Sequence, residues 1–286
     1  MTDILETLAM LSVLVFVISS MLSMGLSLTV KQIIEPLKNP RLVILALLAN
    51  FVLVPLVAYI ITIIFPLDDS AVIGLILLST AAGAPFLPKL VQVAKGNVAF
   101  SVGLMVLLMV VTIIYLPLVL PLLLGDVEVN PWDIARSLII LMLIPLAIGL
   151  FIRARYADSA PKMQPTFAMA ANIGILLLSV VGLVLNFDSM IALVGSYGIL
   201  AAIIFIVVSL LIGYFLGGSN PGIKSVSGLG AGQRNIAAAL VVAGQNFDSD
   251  VITYLMVIAI IGFVVLFPAA GELGKRSKEV DVPPPA

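Results

Sequence analysis

Residues 228–235 read Gly-Leu-Gly-Ala-Gly-Gln-Arg-Asn, a glycine-rich stretch that places one cation inside an otherwise apolar run of the chain. The run covers residues 224–246, which is long enough for a helix to span a membrane. Glycine at this density weakens a helix, and a charged side chain within a membrane is costly. The stretch therefore predicts a membrane helix that is interrupted near Gly228–Gly232, just before Arg234.

A second stretch of the same kind lies at residues 80–89, which read Thr-Ala-Ala-Gly-Ala-Pro-Phe-Leu-Pro-Lys. It predicts a break near Gly83–Pro88 in the third apolar run, again just before a base. The two runs are five spans apart, so they cross a membrane in opposite directions. Interrupted spans at matching places in two inverted halves are typical of a transporter binding site.

The composition of the whole chain supports a membrane protein. Apolar residues make up 62% of the 286 residues and charged residues 10%, whereas a soluble domain has about 45–50% and about 25%. This excludes a soluble enzyme, a disordered chain and a nucleic-acid binder. The nine apolar stretches lie near 7–29, 42–65, 71–94, 97–124, 132–152, 165–186, 190–216, 224–246 and 251–271. We therefore expect an all-α polytopic membrane protein with nine transmembrane helices and one transporter domain over 1–286.

The repeats are expected to cover residues 7–124 and 165–271, with the fifth span, 132–152, between them. In that arrangement spans three and eight are the two discontinuous crossing helices. The first apolar run lacks the basic start and the cleavage site of a signal peptide, so it is expected to be a retained helix.

Charges in the links between spans alternate in sign along the chain. Eleven of the 14 bases lie in the links after spans one, three, five and seven and in the C-terminal tail: Lys31, Lys38, Arg41, Lys95, Arg153, Arg155, Lys162, Lys224, Lys275, Arg276 and Lys278. Ten of the 15 acids lie at the N-terminus and in the other links: Asp3, Glu6, Asp68, Asp69, Asp126, Glu128, Asp133, Asp188, Asp248 and Asp250. By the positive-inside rule the basic links are cytoplasmic. The protein is expected to lie in the cell (inner) membrane with its N-terminus outside and its C-terminus inside.

The chain contains no cysteine and no histidine. A disulfide, a thiol nucleophile, a Cys/His zinc site and histidine-based catalysis are therefore excluded. No carboxylate falls inside a predicted span, while Lys89 and Arg234 do. We expect no enzyme activity, no cofactor and no metal site, and a membrane interior that carries two cations.

Broken helices expose unpaired backbone groups, and their N-terminal ends attract anions. The residues predicted to bind an anionic substrate are Arg234, Lys89, Asn235, Gln233, Gly83 and Pro88. Other interpretations stay open, since Lys89 is close enough to Lys95 for its side chain to reach the membrane surface. The glycines near 228–232 can permit close helix packing, and amides such as Gln92, Asn172 and Gln233 can form interhelical hydrogen bonds.

Several motifs resemble the bile acid:sodium symporter family across nearly the whole chain. They are Met24-Gly25-Leu26-Ser27-Leu28, Asn39-Pro40-Arg41, Asn50-Phe51 with Pro55, Lys95-Gly96-Asn97-Val98-Ala99, and Gly230-Ala-Gly-Gln-Arg-Asn235. The resemblance implies nine spans with an external N-terminus, and uptake of an organic anion coupled to sodium. Related folds, the auxin-efflux and arsenite-efflux carriers, remain alternatives.

The resemblance also implies where sodium ligands belong, and most of these positions differ here. Gly230 stands at the position of the family's sodium-binding Glu, and Arg234 at that of a Gln. Leu87 and Pro88 stand at the position of a Ser-Asn pair, Leu108 and Met109 replace hydroxyl residues, and Asn235 is unchanged. Sodium prefers oxygen ligands, so the resemblance supports the fold and substrate class and leaves sodium coupling doubtful.

Three functions therefore compete. The first is a secondary transporter of a small organic anion of carboxylate type, in which Lys89 and Arg234 replace the sodium ions; a proton-coupled variant would use a neutral Lys89. The second is a sodium-coupled organic-anion symporter with sodium ligands that are not identified. The third is a channel or membrane sensor on the same fold. The expected partners are the anion and the lipid bilayer, with no nucleic acid; the anion, the direction of transport and the oligomeric state stay open.

Overall fold

A computed structural model describes residues 2–34, 38–124, 130–185 and 196–280, and the regular elements in these ranges are all helices. The helices are α1 (Thr2–Ser27), α2 (Val30–Ile34), α3 (Pro40–Ile64), α4 (Asp69–Thr80), α5 (Leu87–Val93), α6 (Val98–Leu123), α7 (Pro131–Arg155), α8 (Ala160–Leu185), α9 (Gly198–Leu216), α10 (Pro221–Gly232), α11 (Ile236–Asn246) and α12 (Ser249–Val280). Two of them contain a wider π-helical turn, Ala49–Leu53 in α3 and Ile139–Leu143 in α7.

Asparagine and aspartate fix where many of these helices begin. Six helices start after such a residue, whose side-chain oxygen accepts a hydrogen bond from a backbone N–H of the first turn: Asn39, Asp68, Asn97, Asn130, Asn220 and Asn235. Proline follows three of these caps, where its missing N–H costs nothing because that group has no helical partner. The polar residues between apolar runs thus determine the helix boundaries.

The structure confirms an all-helical polytopic membrane protein for the part of the chain that it describes. Among the described residues, six helices are long and apolar enough to cross a membrane, and α4 is a shorter apolar helix. Predicted acidic links at Asp126, Glu128 and Asp188 lie outside the described residues. The count of nine crossings stays a prediction.

Two of the predicted spans are divided into a pair of shorter helices. The first interruption follows Thr80, where α4 ends, and lasts until α5 begins at Leu87. The second lies between Gly232, where α10 ends, and Ile236, where α11 begins.

The second interruption begins directly after the predicted stretch, Gly228–Gly232, and not within it. These residues are the last part of α10, and they lie against α9: a Cβ on Gly228 would be 3.0 Å from the Tyr214 Cβ, and one on Gly232 would be 3.0 Å from the Leu210 Cβ. The glycines allow two helices to approach closely. The helix ends only after the last of them.

The helices form two groups. Helices α1, α7 and α8 pack on one another, and the remaining long helices surround the two interruptions. We call these the α1 group and the crossing group. Gly25 and Gly149 bring α1 and α7 together, because a Cβ on either glycine would collide with the backbone of the other helix.

Adding a side chain at Gly25 should therefore disrupt the α1 group. We expect Gly25→Val to lower the free energy of unfolding by about 3 kcal/mol or more, at the top of the range for overpacking, because backbone atoms cannot move aside as side chains can. Thermal unfolding in detergent measures the effect. Gly271→Ala is the matched control, since a Cβ there meets nothing within 4 Å; equal melting temperatures for the two variants would contradict the close crossing.

Candidate functional site

The two interruptions contact each other through Asn235. Its backbone N–H donates to Ala81 O (2.9 Å), and its side-chain Nδ2 donates to Ala82 O (3.3 Å) and Gly83 O (3.1 Å). The Oδ1 atom accepts from Ala238 N and caps α11 (3.1 Å). One fully buried amide thus supplies the partners that the first interruption lacks and starts the helix after the second.

A buried threonine in α6 supports the same interruption. Thr112 Oγ1 accepts from Ala82 N (2.9 Å) and donates to Ala82 O (3.1 Å). Sequence reasoning did not identify Thr112. The available signal was one of three hydroxyl residues in a very apolar span, and it is weak because hydroxyls in helices commonly bond to their own helix.

Gly83 gives the first interruption its shape. Its φ of +82° lies in the left-handed region that side chains avoid, and a Cβ there would collide with the backbone of Met109. Gly83 is thus required by the backbone at this junction.

Arg234 is buried between the interruptions and α3, with 5% of its surface exposed. Its Nε donates to Leu78 O (3.3 Å), Nη1 to Asn50 Oδ1 (2.7 Å), and Nη2 to both Asn50 O (3.2 Å) and Ser79 O (2.6 Å). Four of the five guanidinium N–H groups are used in this way. The four oxygens that bind Arg234 are called the oxygen cage below.

Local backbone structure explains why these oxygens are free to accept. Leu78 and Ser79 belong to the last turn of α4, whose carbonyls have no complete set of helical donors. In α3 the N–H of Val54 bonds to Ala49 O, one residue further back than in an α-helix. The next donor in this register would be Pro55, which has no N–H, so Asn50 O is released.

The cage compensates a full positive charge with neutral groups. The described partners of Arg234 are three backbone carbonyls and one amide oxygen. Two of the carbonyls lie at a helix C-terminus, where the helix dipole is negative. This arrangement can hold a fixed cation in the centre of the molecule without a carboxylate.

A cavity of about 590 Å³ lies between the α1 group and the crossing group, beside Arg234. We call it the central cavity. Its wall is mostly apolar, and its polar side chains are Ser20, Ser23, Ser27, Lys89, Gln92, Gln164, Asn172, Gln233 and Arg234. Such a mixture of an apolar wall and a few polar groups is typical of a small-molecule site.

The six predicted site residues occupy two different places. Arg234, Lys89, Gln233 and Pro88 line the central cavity. Asn235 and Gly83 lie at the junction of the two interruptions, where their role is to hold the backbone. Ser20, Ser23 and Gln164 line the cavity as well, and sequence reasoning did not identify them because serine and glutamine are common in helices of every kind.

Lys89 and Gln233 differ from Arg234 in their surroundings. Lys89 is exposed on the short helix α5, with its Nζ 5.5 Å from the centre of the Phe86 ring. The Gln233 Oε1 is buried and has no hydrogen-bond partner in the described part of the chain. A buried acceptor without a donor is costly.

The position at which the resemblance implies a sodium-binding Glu is apolar here. A Cβ on Gly230 would lie 3.3 Å from Leu87 Cδ2 and 3.5 Å from Leu104 Cδ2. Leu108 and Met109, which stand at positions where the resemblance implies hydroxyl residues, are fully buried. None of these four side chains, Leu87, Leu104, Leu108 and Met109, carries an oxygen that a hard cation could use as a ligand.

Comparison with known proteins gives a family match and several distant relatives. A family model described as the Sodium Bile acid symporter family matches residues 14–193, which is more than half of the chain. The matched segment includes the first interruption and ends before Arg234.

The chain is 26% identical over 156 residues to an uncharacterized sodium-dependent transporter, YocS, of Bacillus subtilis (strain 168), and the match covers 54% of this chain and 49% of the relative. It is 28% identical over 158 residues to the probable sodium/metabolite cotransporter BASS2, chloroplastic, of Oryza sativa subsp. japonica, with 55% and 37% covered. The probable sodium/metabolite cotransporter BASS3, chloroplastic, of the same plant is 23% identical over 197 residues, with 68% and 47% covered. The matches thus span about half or less of the length of these curated relatives.

Proposed function

Because the chain belongs to the sodium bile acid symporter family, we propose that it is a secondary transporter that carries a small organic anion across the cell membrane by alternating access. The central cavity, between two groups of helices and beside a fixed cation, is the observation that carries the proposal. Movement of the α1 group relative to the crossing group would expose the cavity to either side of the membrane in turn.

The membrane arrangement is part of the same proposal. Nine crossings, with inverted repeats over 7–124 and 165–271, follow from the nine apolar stretches and the two interrupted spans. The alternating charge of the links supports an external N-terminus and a cytoplasmic C-terminus.

We further propose that Arg234 takes the place of a sodium ion. Three carbonyl oxygens and one amide oxygen are the ligands that a hard cation prefers, and in this chain a guanidinium occupies them. The fixed charge holds α3, α4 and the second interruption together and keeps the wall of the cavity positive. Lys89, which lines the same cavity, adds a second positive charge for the anion.

A sodium-coupled symporter is the second candidate. The names of the relatives in Bacillus subtilis and rice favour it, since they describe sodium-dependent or sodium/metabolite transport. In that case sodium would bind at backbone carbonyls and hydroxyls away from the oxygen cage.

Counterflow in liposomes tests the transport function. Vesicles with purified protein are loaded with unlabelled lactate, benzoate or cholate, and labelled anion of the same kind is added outside. A carrier produces transient accumulation of label for at least one of the three probes, because exchange is faster than net movement. Label that only equilibrates would indicate a channel, and no protein-dependent entry of any probe would contradict transport of this class of anion.

A further inference from the structure

A second cavity lies away from the central cavity, at the start of α7 and the end of α11. Its volume is about 420 Å³. It is lined by Leu14, Asp133, Arg136, Ser137, Ile140, Leu141, Gln245 and Asn246. We call it the Arg136 cavity.

The Arg136 cavity lies on the boundary between the two groups of helices. Arg136 and Ser137 belong to α7 in the α1 group, whereas Gln245 and Asn246 belong to α11 in the crossing group. The polar groups therefore converge only because the two groups meet there. Movement of one group against the other would change the shape of this cavity and of the central cavity together.

Two helices, α1 and α11, contribute residues to both cavities. On α1, Leu14 lines the Arg136 cavity and Phe16 lines the central cavity; two residues correspond to about 3 Å along a helix. On α11, Leu240 lines the central cavity and Gln245 the other, a distance of about 7.5 Å along the axis. The two cavities thus follow one another along the same boundary.

The positive charge of Arg136 is unusual for its side of the membrane. The links on that side carry acids such as Asp68, Asp69, Asp248 and Asp250, and Arg136 is the one base of the 14 that is neither in a basic link nor in one of the interrupted spans. An anion that approaches this side meets repulsion from the acids and attraction at Arg136. Asp133 lines the same cavity, so the attraction for an anion comes from the guanidinium of Arg136 itself and not from the net charge of the cavity.

The neighbours of Arg136 restrict the chemistry of the ligand further. Asp133 lies in the same cavity, and in the described ranges Arg136 has no carboxylate within 4.0 Å. The Asn246 amide donates to Val242 O (2.8 Å), which leaves its Oδ1 to accept. A ligand that fits all these groups has a carboxylate for Arg136 and a hydroxyl donor for Asp133 or Asn246.

We propose that the Arg136 cavity is a second anion-binding site, for a small hydroxycarboxylate. It would lie where the transport pathway opens on the side of the membrane that carries the acidic links. This place in the pathway rests on the transport function proposed above. The binding itself depends on the guanidinium of Arg136 and on the amides that the crossing group presents to it.

The fluorescence of Trp132 measures binding at this site. Trp132 is the single tryptophan of the chain, and it lies one turn before Arg136 on α7. Purified protein in nanodiscs is titrated with lactate and with propionate, which differ by one hydroxyl, at constant ionic strength set with chloride. We expect a saturable change in emission with lactate, weaker binding of propionate, and at least about tenfold weaker binding of lactate to Arg136→Gln, since a charge-assisted hydrogen bond is worth about 1.5–3 kcal/mol.

Arg155→Gln is the matched control, because Arg155 lies at the other end of α7 and outside both cavities. Its titration should equal that of the wild type. No saturable change with lactate, or equal affinity of the wild type and Arg136→Gln, would overturn the proposal. Failure of counterflow for all probes would instead contradict the transport function, since the fluorescence titration does not depend on transport.

Discussion

Replacement of Arg234 by alanine is expected to abolish anion transport and to lower stability. The substitution removes the donor from all four oxygens of the cage. Leu78 O keeps the N–H of Ala81, and each of the other three buried acceptors costs about 1–3 kcal/mol when it has no partner. Water that enters the vacated space recovers part of this cost, so we expect a loss of about 2–5 kcal/mol in the free energy of unfolding. Thermal unfolding and counterflow on the same preparation measure both effects.

Rescue of Arg234→Ala by added guanidinium ion tests whether transport needs the charge of Arg234 or only a group that fills its space. The ion has the shape and donors of the missing group, so at millimolar concentration it should restore part of the transport of Arg234→Ala. Urea has nearly the same shape without the charge and should restore nothing. Arg155→Ala, which removes an exposed arginine outside both cavities, should show no rescue; equal rescue of Arg234→Ala by urea would mean that the cage needs donors and no charge.

Two further variants, Arg234→Gln and Lys89→Ala, compare the contributions of the two cations at the central cavity. Arg234→Gln keeps hydrogen-bond donors while it removes the charge, and transport should still fall sharply. Lys89→Ala should weaken transport less, because Lys89 is exposed to solvent at the cavity while Arg234 is buried.

Substitution of Gly83 by alanine is the second change with a large expected effect. The residue has a φ of +82°, and a Cβ would lie among backbone atoms of Met105 and Met109 in α6. The left-handed conformation alone costs roughly 1–2 kcal/mol for a residue with a side chain. Because α6 cannot move without breaking the Thr112 hydrogen bonds, the total loss should reach about 3 kcal/mol or more.

The melting temperature in detergent and counterflow measure the effect of Gly83→Ala. We expect the junction of the two interruptions to be displaced, so transport should fall even in the fraction that remains folded. Gly244→Ala is the control, since a Cβ on this helical glycine meets nothing within 4 Å. A Gly83→Ala protein with wild-type stability would contradict the close approach to α6.

The order of the described helices could be predicted from the sequence because apolar runs are a local feature. Apolar runs fix which residues enter the membrane, and caps such as Asn97 and Asn220 fix where a helix begins. The family prediction is confirmed by the match over residues 14–193. The end of α10 could not be placed correctly, because whether a glycine breaks a helix or packs against another depends on the neighbour, here Tyr214 of α9.

The candidate site was predictable only in part for a similar reason. The sequence shows a cation without a carboxylate in the same membrane interior, but the main partner of Arg234 is Asn50, which is 184 residues away in the chain. The backbone carbonyl of Asn50 is free because a π-helical turn is followed by Pro55, and the apolar pattern of the sequence does not show where such a turn occurs. Thr112 was missed because its partner, Ala82, acquires unpaired backbone groups only when the first interruption forms.

The central claim is that the guanidinium of Arg234 occupies the place of a coupling sodium ion. The most direct test is the initial rate of uptake into liposomes, for the probe anion that gives counterflow, as external sodium is replaced step by step by choline at constant ionic strength. The account predicts a rate that does not change with sodium. A rate that rises steeply with sodium would contradict it and would mean that sodium binds elsewhere in the protein and drives transport.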